Sequence, residues 1–496
     1  MGRQKKLVMD ADGLDKRSLG YYSTPAFVAE YLTGRMLEEK PDGHRVLDPC
    51  VGREEMVISF AQAGKDVLGL DIFDYGHHGA AAFVQQDFLQ YYAKRRDQIK
   101  EHGGLEFDYY IANPPYNCHE SGYIRDNKRS LQALFPDIGT LNMYSMFLAA
   151  LVHCAKPGAM LGIITSDSFL TSRMHSPLRQ FVQERCHIHD LLLCPTDLFH
   201  GQQADVRTCL MVLEKLTPRE QGLVNGRRMT RTMGRPLNSE SFARALRDRT
   251  QREVPERVFS LTDVRDHGEW LVDCPASIRH LFQGQRLADE FRCLTGISTG
   301  SDRKYLRAKP EAQWTRPFYK NPGKRRFYAA PDGYLPENFL ELARTVPNFL
   351  VRNQRYLFRE GIACSSMGVA FGACYRPQGA LFGVNANFVD LGDDLWWLLA
   401  YLNSSLVTYL VRGVLLRSNM ITSGYVSRIP LLPLSADAKR TLAALAHVEY
   451  ERCRQGAAAD AGIVAAVNAV IYREAGLPPE DIQHVQEFCG DLLRRT

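Results

Sequence analysis

The sequence has little that would place it in or across a membrane. A helix needs ~20 uninterrupted apolar residues to span a bilayer, and the two longest apolar stretches, near 143–164 and 391–416, are interrupted by charged, proline or small polar residues. The basic N-terminus leads into Asp10 and Asp12 without an apolar stretch, which argues against a secretory signal. We therefore expect a folded cytoplasmic protein with no membrane partner.

The sequence also lacks paired cysteines, internal repeats and low-complexity tracts. Its 12 cysteines are scattered without any CxxC pair, so we expect reduced thiols. Cys186, His187, His189 and Cys194 have a loosely metal-like spacing, but strand alternation would turn them to opposite faces, and we predict no metal site. Residues 296–300 spell GxSxG, yet a charged segment follows where a nucleophile elbow needs a helix, which disfavours an α/β-hydrolase.

What is present divides the chain into two parts of different charge. Residues 1–215 carry a net charge of −4 and residues 216–496 a net charge of +9. At roughly 100–200 residues per domain, a length of 496 residues predicts two to four domains. We place boundaries after residues 215 and 435, where the pattern of helix and strand signals changes. The basic second part indicates polyanion binding. The alternative explanation of the charge is a solvated basic surface.

The first part alternates helix and strand signals, which is typical of a parallel sheet covered by helices on both faces. Thr24 followed by Pro25 predicts a helix N-terminus. Helices are also predicted at 142–154 and at 168–184, the second kinked at Pro177. Strands are predicted at 45–48, 67–71, 82–86, 107–112, 160–165 and 188–194, with 206–214 as an added edge strand. We therefore predict a Rossmann-like, doubly wound, mostly parallel α/β sheet, followed by an α+β domain and a helical tail.

The strongest motif is Asn113-Pro114-Pro115-Tyr116, directly after an apolar strand. Loops at the carboxyl ends of strands are where open α/β sheets bind ligands. The prolines stiffen the backbone and lack N–H donors, so rigid carbonyls and the Asn113 oxygen are available as acceptors. Together they could accept both protons of an exocyclic amino group while Tyr116 stacks on the ring, which suits a flipped adenine. A merely rigid proline turn is the alternative.

Three predicted strands each end with an acid: Asp48, Asp71 and Asp87. The spacing of the first two matches dinucleotide-binding sheets, in which the second carboxylate binds ribose hydroxyls. Asp87 could accept from an adenine amino group while Phe88 covers the ring. A GxGxxG motif is missing, and Glu54, expected at a helix start, would oppose a pyrophosphate. The pattern favours a nucleoside cofactor without phosphates.

These residues resemble the S-adenosylmethionine-dependent amino-methyltransferases of DNA, specifically the γ-class N6-adenine enzymes of the TaqI type. The resemblance is specific over residues 20–215. It implies a class I methyltransferase domain at 1–215, a DNA target-recognition domain at 216–435 and a helical segment at 436–496. It also implies S-adenosyl-L-methionine as cofactor and double-stranded DNA as substrate. Some 20 residues before the first motif cannot hold a nuclease, so we expect any restriction endonuclease to be a separate chain.

The resemblance further implies roles for individual residues. The implied catalytic residues are Asn113, Pro114, Pro115, Tyr116 and Phe199. Phe199 would lie against the flipped base, although a buried core position is the open alternative. The implied cofactor-binding residues are Thr24, Asp48, Pro49, Gly52, Asp71, Ile72, Asp87 and Phe88. Glu54 stands where the family has a second glycine, which predicts a less tolerant loop rather than lost binding.

Residues 303–326 carry a net charge of +8 with only one acid, Glu311. Interleaved aromatic residues, among them Trp314, Phe318 and Tyr319 and the following Phe327 and Tyr328, suit stacking near bases. The predicted DNA-binding residues are Arg303, Lys304, Arg307, Lys320, Lys324, Arg325 and Arg326. Segments 294–300, 400–405 and 425–430 resemble parts of TaqI-type or type I specificity domains.

Other interpretations stay open. The same four-residue motif occurs in RNA and protein-glutamine methyltransferases, although those usually lack a large basic C-terminal domain. Glu54 leaves room for a non-catalytic DNA-binding subunit of a restriction-modification system. N4-cytosine methylation is a lesser variant, because serine more often replaces Asn113 in such enzymes.

Overall fold

The computed structural model describes residues 22–494 except 77–78, 117–121, 200–206, 223–227, 257–259, 324, 368–369, 385–386, 390 and 417–419. It forms two compact units. The first is Met1–Ser260 with His267–Asp273, and the second is Leu261–Asp266 with Cys274–Thr496. The predicted boundary after residue 215 falls inside the first unit, because strands beyond that position continue its sheet.

Within the described residues, one nine-stranded sheet forms the centre of the first unit. Its order is β3-β2-β1-β4-β5-β7-β6-β8-β9. The first five strands run parallel, whereas β7 is antiparallel to both β5 and β6. The strands are β1 Arg45–Asp48, β2 Asp66–Asp71, β3 Ala82–Gln85, β4 Tyr109–Ala112, β5 Met160–Ser166, β6 Cys186–Leu193, β7 Thr208–Lys215, β8 Met229–Met233 and β9 Arg252–Pro255. The predicted Rossmann-like, mostly parallel sheet is confirmed.

Helices cover both faces of this sheet, so the central strands β4, β5 and β7 are buried on both sides. Along β4, Tyr110 packs in one apolar cluster while Tyr109 and Ile111 pack in the other. The described helices of this unit are α1 Ala26–Glu39, α2 Ile58–Gln62, α3 Phe88–His102, α4 Gly122–Asp126, α5 Lys128–Leu134, α6 Met143–Cys154, α7 Ser176–Arg185 and α8 Ser239–Arg247. Helices α3, α6 and α7 belong to the first cluster and α1 to the second.

Three local predictions are wrong. Strand β7 is not an edge strand but lies between β5 and β6, and its burial on both faces explains its weak alternation. The segment predicted as one kinked helix is two short 3-10 turns followed by α7, with Pro177 in the first turn, where proline is tolerated. Helix α1 begins at Ala26 with Pro25 at its N-cap and no side-chain cap bond, so Thr24 does not cap it.

The second unit is α+β, as predicted. Its described strands form three small sheets, in the orders β10-β18-β15-β16, β11-β14 and β13-β12-β17. The strands are β10 Arg292–Leu294, β11 Ile297–Ser298, β12 Trp314–Tyr319, β13 Gly333–Pro336, β14 Leu350–Val351, β15 Gly361–Cys364, β16 Ala373–Arg376, β17 Leu381–Phe382 and β18 Asn387–Val389. The helices are α9 Ala276–Leu281, α10 Leu287–Glu290, α11 Asp302–Tyr305, α12 Phe339–Thr345, α13 Leu395–Leu402, α14 Ser405–Tyr409, α15 Ser423–Val426, α16 Ala436–Arg454, α17 Ala461–Glu474 and α18 Pro479–Arg494. The last three form the predicted helical segment.

The most apolar helices of the second unit lie next to each other in the chain. Among the described residues, no single helix is long and apolar enough to cross a membrane. Gly392–Leu402 and Ser405–Leu415 reach that length only together, as a pair bent by 67°.

Candidate functional site

The sequence motifs meet at the carboxyl edge of the sheet, where the strand order reverses. Strand β1 pairs with β2 on one side and with β4 on the other. Open α/β sheets bind ligands in the crevice between the loops that diverge at such a point, here the loops after β1 and β4. Asp48 ends β1, and Asn113 directly follows β4.

The Asn113 side chain is held in one orientation by its neighbours. Its Nδ2 donates to the Tyr22 carbonyl at 2.7 Å and to the Thr24 hydroxyl at 2.9 Å. A backbone carbonyl only accepts, so the atom facing Tyr22 is the amide nitrogen and Oδ1 faces away from it. Oδ1 accepts the Tyr116 hydroxyl at 2.6 Å, which occupies one of its two lone pairs. The helix-start signal at Thr24 thus marks a residue that orients the motif amide.

Aromatic rings lie around this amide. The Tyr22 ring centroid is 5.7 Å from that of Tyr116 and 5.8 Å from that of Phe199. Phe199 is 1% exposed and packs in the α1-side core, which agrees with the buried-core alternative. Burial raises the pKa of Tyr116 well above its ordinary value, so this phenol keeps its proton and donates. Pro114 is buried beside it.

The loop after β1 is tied to the end of β2. Asp48 is 1% exposed, and its Oδ1 accepts the Cys50 N–H at 3.0 Å. Burial, reinforced by the negative charges of Asp71 and Glu55 and opposed by the Cys50 N–H, raises the pKa of Asp48 to about 8. Gly52 adopts a φ of 53° and donates its N–H to Asp71 Oδ2 at 3.0 Å. Asp48 can therefore exchange its proton near neutral pH.

The end of β2 combines a carboxylate with apolar surface. Asp71 is 9% exposed, and its other oxygen accepts the Phe73 N–H at 3.1 Å. The next side chain, Ile72, is 49% exposed. A carboxylate beside an exposed apolar side chain suits a ribose and its attached ring.

The end of β3 differs from its prediction at Phe88. Asp87 caps α3, because its Oδ1 accepts the N–H groups of Leu89 and Gln90, while Oδ2 accepts the Tyr123 hydroxyl at 2.6 Å. Phe88 is 1% exposed and packs against Phe147. Its ring therefore packs in the core below α3 and cannot contact a ligand. Tyr123 was missed, because nothing in the local sequence marks it.

Glu54 adopts a backbone conformation that is typical of glycine. Its φ is +68°, in the left-handed region that favours glycine. Its fully buried carboxylate accepts the N–H groups of Ala80 and Ala81 at 3.2 and 3.0 Å. The expected helix start at Glu54 is wrong, since α2 begins at Ile58. The carboxylate faces the segment before β3, so its charge is not placed to repel a pyrophosphate, as had been expected.

Part of the chain matches restriction-modification methylases. Residues 74–199 match the family described as Eco57I restriction-modification methylase, and this stretch includes the Asn113 motif and Phe199. The chain is 27% identical over 225 residues to the Type II methyltransferase M.BanIII of Aneurinibacillus aneurinilyticus, covering 38% of this chain and 37% of that protein. The chain thus spans little more than a third of that relative's length.

Two solved structures have a similar fold. The DrdV–DNA complex has a TM-score of 0.53 at 11% identity, covering 88% of this chain and 58% of that one. The nuclease-deletion mutant of the Type ISP restriction-modification enzyme LlaGI, in complex with a DNA substrate mimic, has a TM-score of 0.52 at 12% identity, covering 89% and 55%. The likeness is one of fold and extends beyond the first unit. The first unit has a Rossmann-like fold.

The predicted DNA-binding residues differ in their surroundings. The exposed ones are Arg303, Lys304, Lys320 and Arg325. The half-buried ones are Arg307 and Arg326. Lys320 pairs with Asp302, and Arg307 pairs with Glu311 at 3.0 Å. Lys324 lies outside the described residues. The charge available to a polyanion is therefore smaller than the sequence count.

The interleaved aromatic residues are mostly core. Phe318, Tyr319 and Phe327 are at most 5% exposed, so the prediction that they stack near bases is wrong. Phe318 and Tyr319 belong to β12, which lies between β13 and β17, and their side chains pack in apolar clusters. Phe327 forms an isolated β-bridge with Cys374. Trp314 and Tyr328 are partly exposed, and for these two residues stacking near bases stays a prediction.

A second basic surface was missed in the sequence. Arg344 and Arg352 are exposed and line a cavity of about 370 Å³. Leu340 and Leu350 line the same cavity with 40% and 43% of their surface exposed. Leu340 and Arg344 lie in α12, Leu350 lies in β14 and Arg352 follows β14, so no local charge cluster marks them.

Proposed function

We propose that this chain is a site-specific DNA methyltransferase of the restriction-modification kind, resembling the γ class. It would move a methyl group from S-adenosylmethionine to N6 of an adenine flipped out of duplex DNA. The observation that carries the proposal is the fixed orientation of the Asn113 amide in the loop after β4, next to the strand-order reversal. The match over residues 74–199 supports the same class.

The crevice suits a nucleoside. Asp48 and Asp71 supply carboxyl groups at adjacent strand ends, and Ile72 supplies apolar surface. The Gly52 N–H is already bonded to Asp71 and is thus not offered to a phosphate. In the proposed complex Asp71 holds the ribose and Asp87 the adenine amino group, with Thr24, Pro49 and Gly52 shaping the walls. The bound cofactor supplies an electrophilic methyl group.

The Asn113 motif would activate the target nitrogen without a strong base. Asn113 Oδ1 and the Pro114 carbonyl accept the two amino protons, which concentrates the nitrogen lone pair for attack. The protonated Tyr116 hydroxyl occupies the other lone pair of Oδ1 in the present state, and its ring would stack on the base beside Pro115. Phe199 would support this stack through Tyr22.

The second unit would contact double-stranded DNA through its exposed basic side chains, Arg303, Lys304 and Arg325. Phosphate contacts of this kind provide affinity and register rather than sequence specificity. Cleavage, where it accompanies methylation, would belong to a separate restriction endonuclease.

Methyl transfer to DNA is the direct test. Full-length protein is incubated with tritium-labelled S-adenosylmethionine and mixed duplex DNA, and the digested nucleosides are separated. We expect label in N6-methyladenine. Asn113→Ala should abolish transfer while cofactor binding persists. Thr24→Val removes one hydrogen bond worth about 1 kcal/mol and should lower the rate by about fivefold to tenfold.

A matched control is Asn338→Ala, an exposed asparagine that makes no side-chain cap bond and should leave the rate unchanged. Label in RNA or protein would replace the DNA assignment. Label in N4-methylcytosine would change the target base, and no transfer to any acceptor would favour a non-catalytic DNA-binding subunit.

A further inference from the structure

Two histidines and a glutamate converge near the edge of the first unit's sheet that is opposite to Asn113. Strand β6 runs in the same direction as β5, since both are antiparallel to β7. His187 and His189 therefore lie near the amino end of β6, away from the carboxyl edge that carries the Asn113 crevice. Glu214, near the end of β7, is the direct cross-strand partner of His187.

A β-bulge brings the second histidine to the same face. The register between β6 and β7 shifts between Ile188 and Asp190, so His189 is the additional residue. Cys186 and Ile188 pack in the core on the other face of the sheet. The cysteines whose spacing suggested a metal-like motif are thus not part of this cluster, and Glu214 takes their place. Bulges commonly redirect side chains in this way.

The three side chains are close enough to share one ion. His189 Nε2 lies 3.1 Å from Glu214 Oε2, and His187 Nδ1 lies 4.0 Å from the same oxygen. One donor atom from each residue lies within 4.8 Å of the other two. Both histidine side chains are 13% exposed and that of Glu214 is 40% exposed, so an ion can enter from solvent.

The remaining histidine nitrogens have the partners that metal-bound histidines usually have. His187 Nε2 lies 3.1 Å from the Met229 carbonyl, which only accepts, so Nε2 carries the hydrogen and the Nδ1 lone pair is directed toward Glu214. His189 Nδ1 lies 3.6 Å from Glu39 Oε2. The carbonyl fixes the His187 tautomer that metal ligation requires. His189 Nε2 is hydrogen-bonded to Glu214 in the absence of an ion, and Glu39 lies near enough to accept from Nδ1 when Nε2 binds an ion.

We propose that His187 Nδ1, His189 Nε2 and a Glu214 oxygen bind one divalent transition-metal ion, with zinc the best suited. Two imidazoles and one carboxylate are a donor set that zinc takes at about 2.0–2.2 Å, with a fourth position open to water. The side chains need only small rotations to close on such an ion. The ion would cross-link β6 and β7, far from the methyl-transfer crevice.

Metal binding by the full-length protein tests this site independently of methylation. The protein is stripped with a chelator and titrated with Co²⁺, whose visible absorption reports coordination by nitrogen and oxygen, and Zn²⁺ is then added in competition. We expect one ion per chain, displacement of Co²⁺ by Zn²⁺, and a higher melting temperature in the presence of Zn²⁺.

Variants identify the residues that bind the ion. Glu214→Gln is nearly isosteric and His187→Ala removes a ligand, and both should abolish stoichiometric binding. Glu39→Gln should weaken binding by about 10- to 100-fold. His102→Ala, an exposed histidine of the same unit, should bind as the wild type does. Absence of stoichiometric binding by the wild type would overturn the proposal, and so would equal binding by Glu214→Gln, which would place the ion on thiols or elsewhere.

Discussion

Replacing Glu54 by glycine is expected to destabilise the first unit, even though it removes an unfavourable backbone conformation. Glu54 has a φ of +68°, which glycine adopts without steric cost. Its carboxylate, however, is fully buried and accepts two backbone N–H groups, those of Ala80 and Ala81. The substitution therefore sets a backbone gain against a loss of hydrogen bonds.

The magnitudes decide the sign. A non-glycine residue in the left-handed region costs about 1–2 kcal/mol. A hydrogen bond to a charged group contributes about 1.5–3 kcal/mol, so the loss of two costs about 3–6 kcal/mol. Glu54→Gly should thus lower the free energy of unfolding by about 1–5 kcal/mol. Glu54→Gln keeps one acceptor and the backbone conformation, and should cost about 1.5–3 kcal/mol.

Thermal and urea unfolding of the full-length protein measure this balance, with about 2–4 °C expected per kcal/mol in a domain of this size. Ala312→Gly is the matched control, because Ala312 is exposed with a φ of 44° and has no polar side chain to lose. It should be neutral or slightly stabilising. If Glu54→Gly also raised the melting temperature, the side-chain bonds would contribute less than the backbone conformation costs, and the anchoring role would be refuted.

Two further changes test the charges of the candidate sites. Asp48 has a pKa raised to about 8 against about 3.9 when unfolded, so the folded state holds the extra proton between these values and loses stability as pH rises through them. Asp48→Asn keeps an acceptor for the Cys50 N–H and should flatten this decline between pH 5 and 8 in urea unfolding; an unchanged slope would contradict the raised pKa. Arg303→Gln should weaken DNA binding and lower the slope of log affinity against log salt by about one. Lys320→Gln should do less, because Asp302 already neutralises Lys320, and equal effects would argue against a DNA contact at Arg303.

The strand ends of the first unit could be predicted, because their signals are local. An apolar run followed by an acid or by the Asn113 motif marks both a buried strand and the start of its loop, and β1 has its predicted bounds. The position of β7 could not be predicted, because a strand's neighbours depend on pairing over long distances. An apolar run like that of β7 is found both in edge strands and in central strands, so it does not reveal the position of the strand in the sheet.

The partners within the site depend on contacts that leave no local pattern. Thr24 before a proline has the same sequence signature whether its hydroxyl caps a helix or accepts from Asn113, which is 89 residues away. Tyr123 reaches Asp87 across 36 residues. Glu54 looks like a departure from a glycine motif, and only the fold reveals that Ala80 and Ala81 compensate for it.

The bulge in β6 explains why the histidine cluster was overlooked. Strict alternation would put Asp190 on the face of Cys186, away from α1. The bulge instead keeps Asp190 on the α1 side, where it is fully buried 3.0 Å from Arg35. Breaking such a buried pair costs about 3–5 kcal/mol, so the pairing of Asp190 with Arg35 is a strong reason for the extra residue. The same irregularity leaves His189 beside His187 and Glu214, so a structural requirement on one side chain assembles a cluster that a period of two cannot reveal.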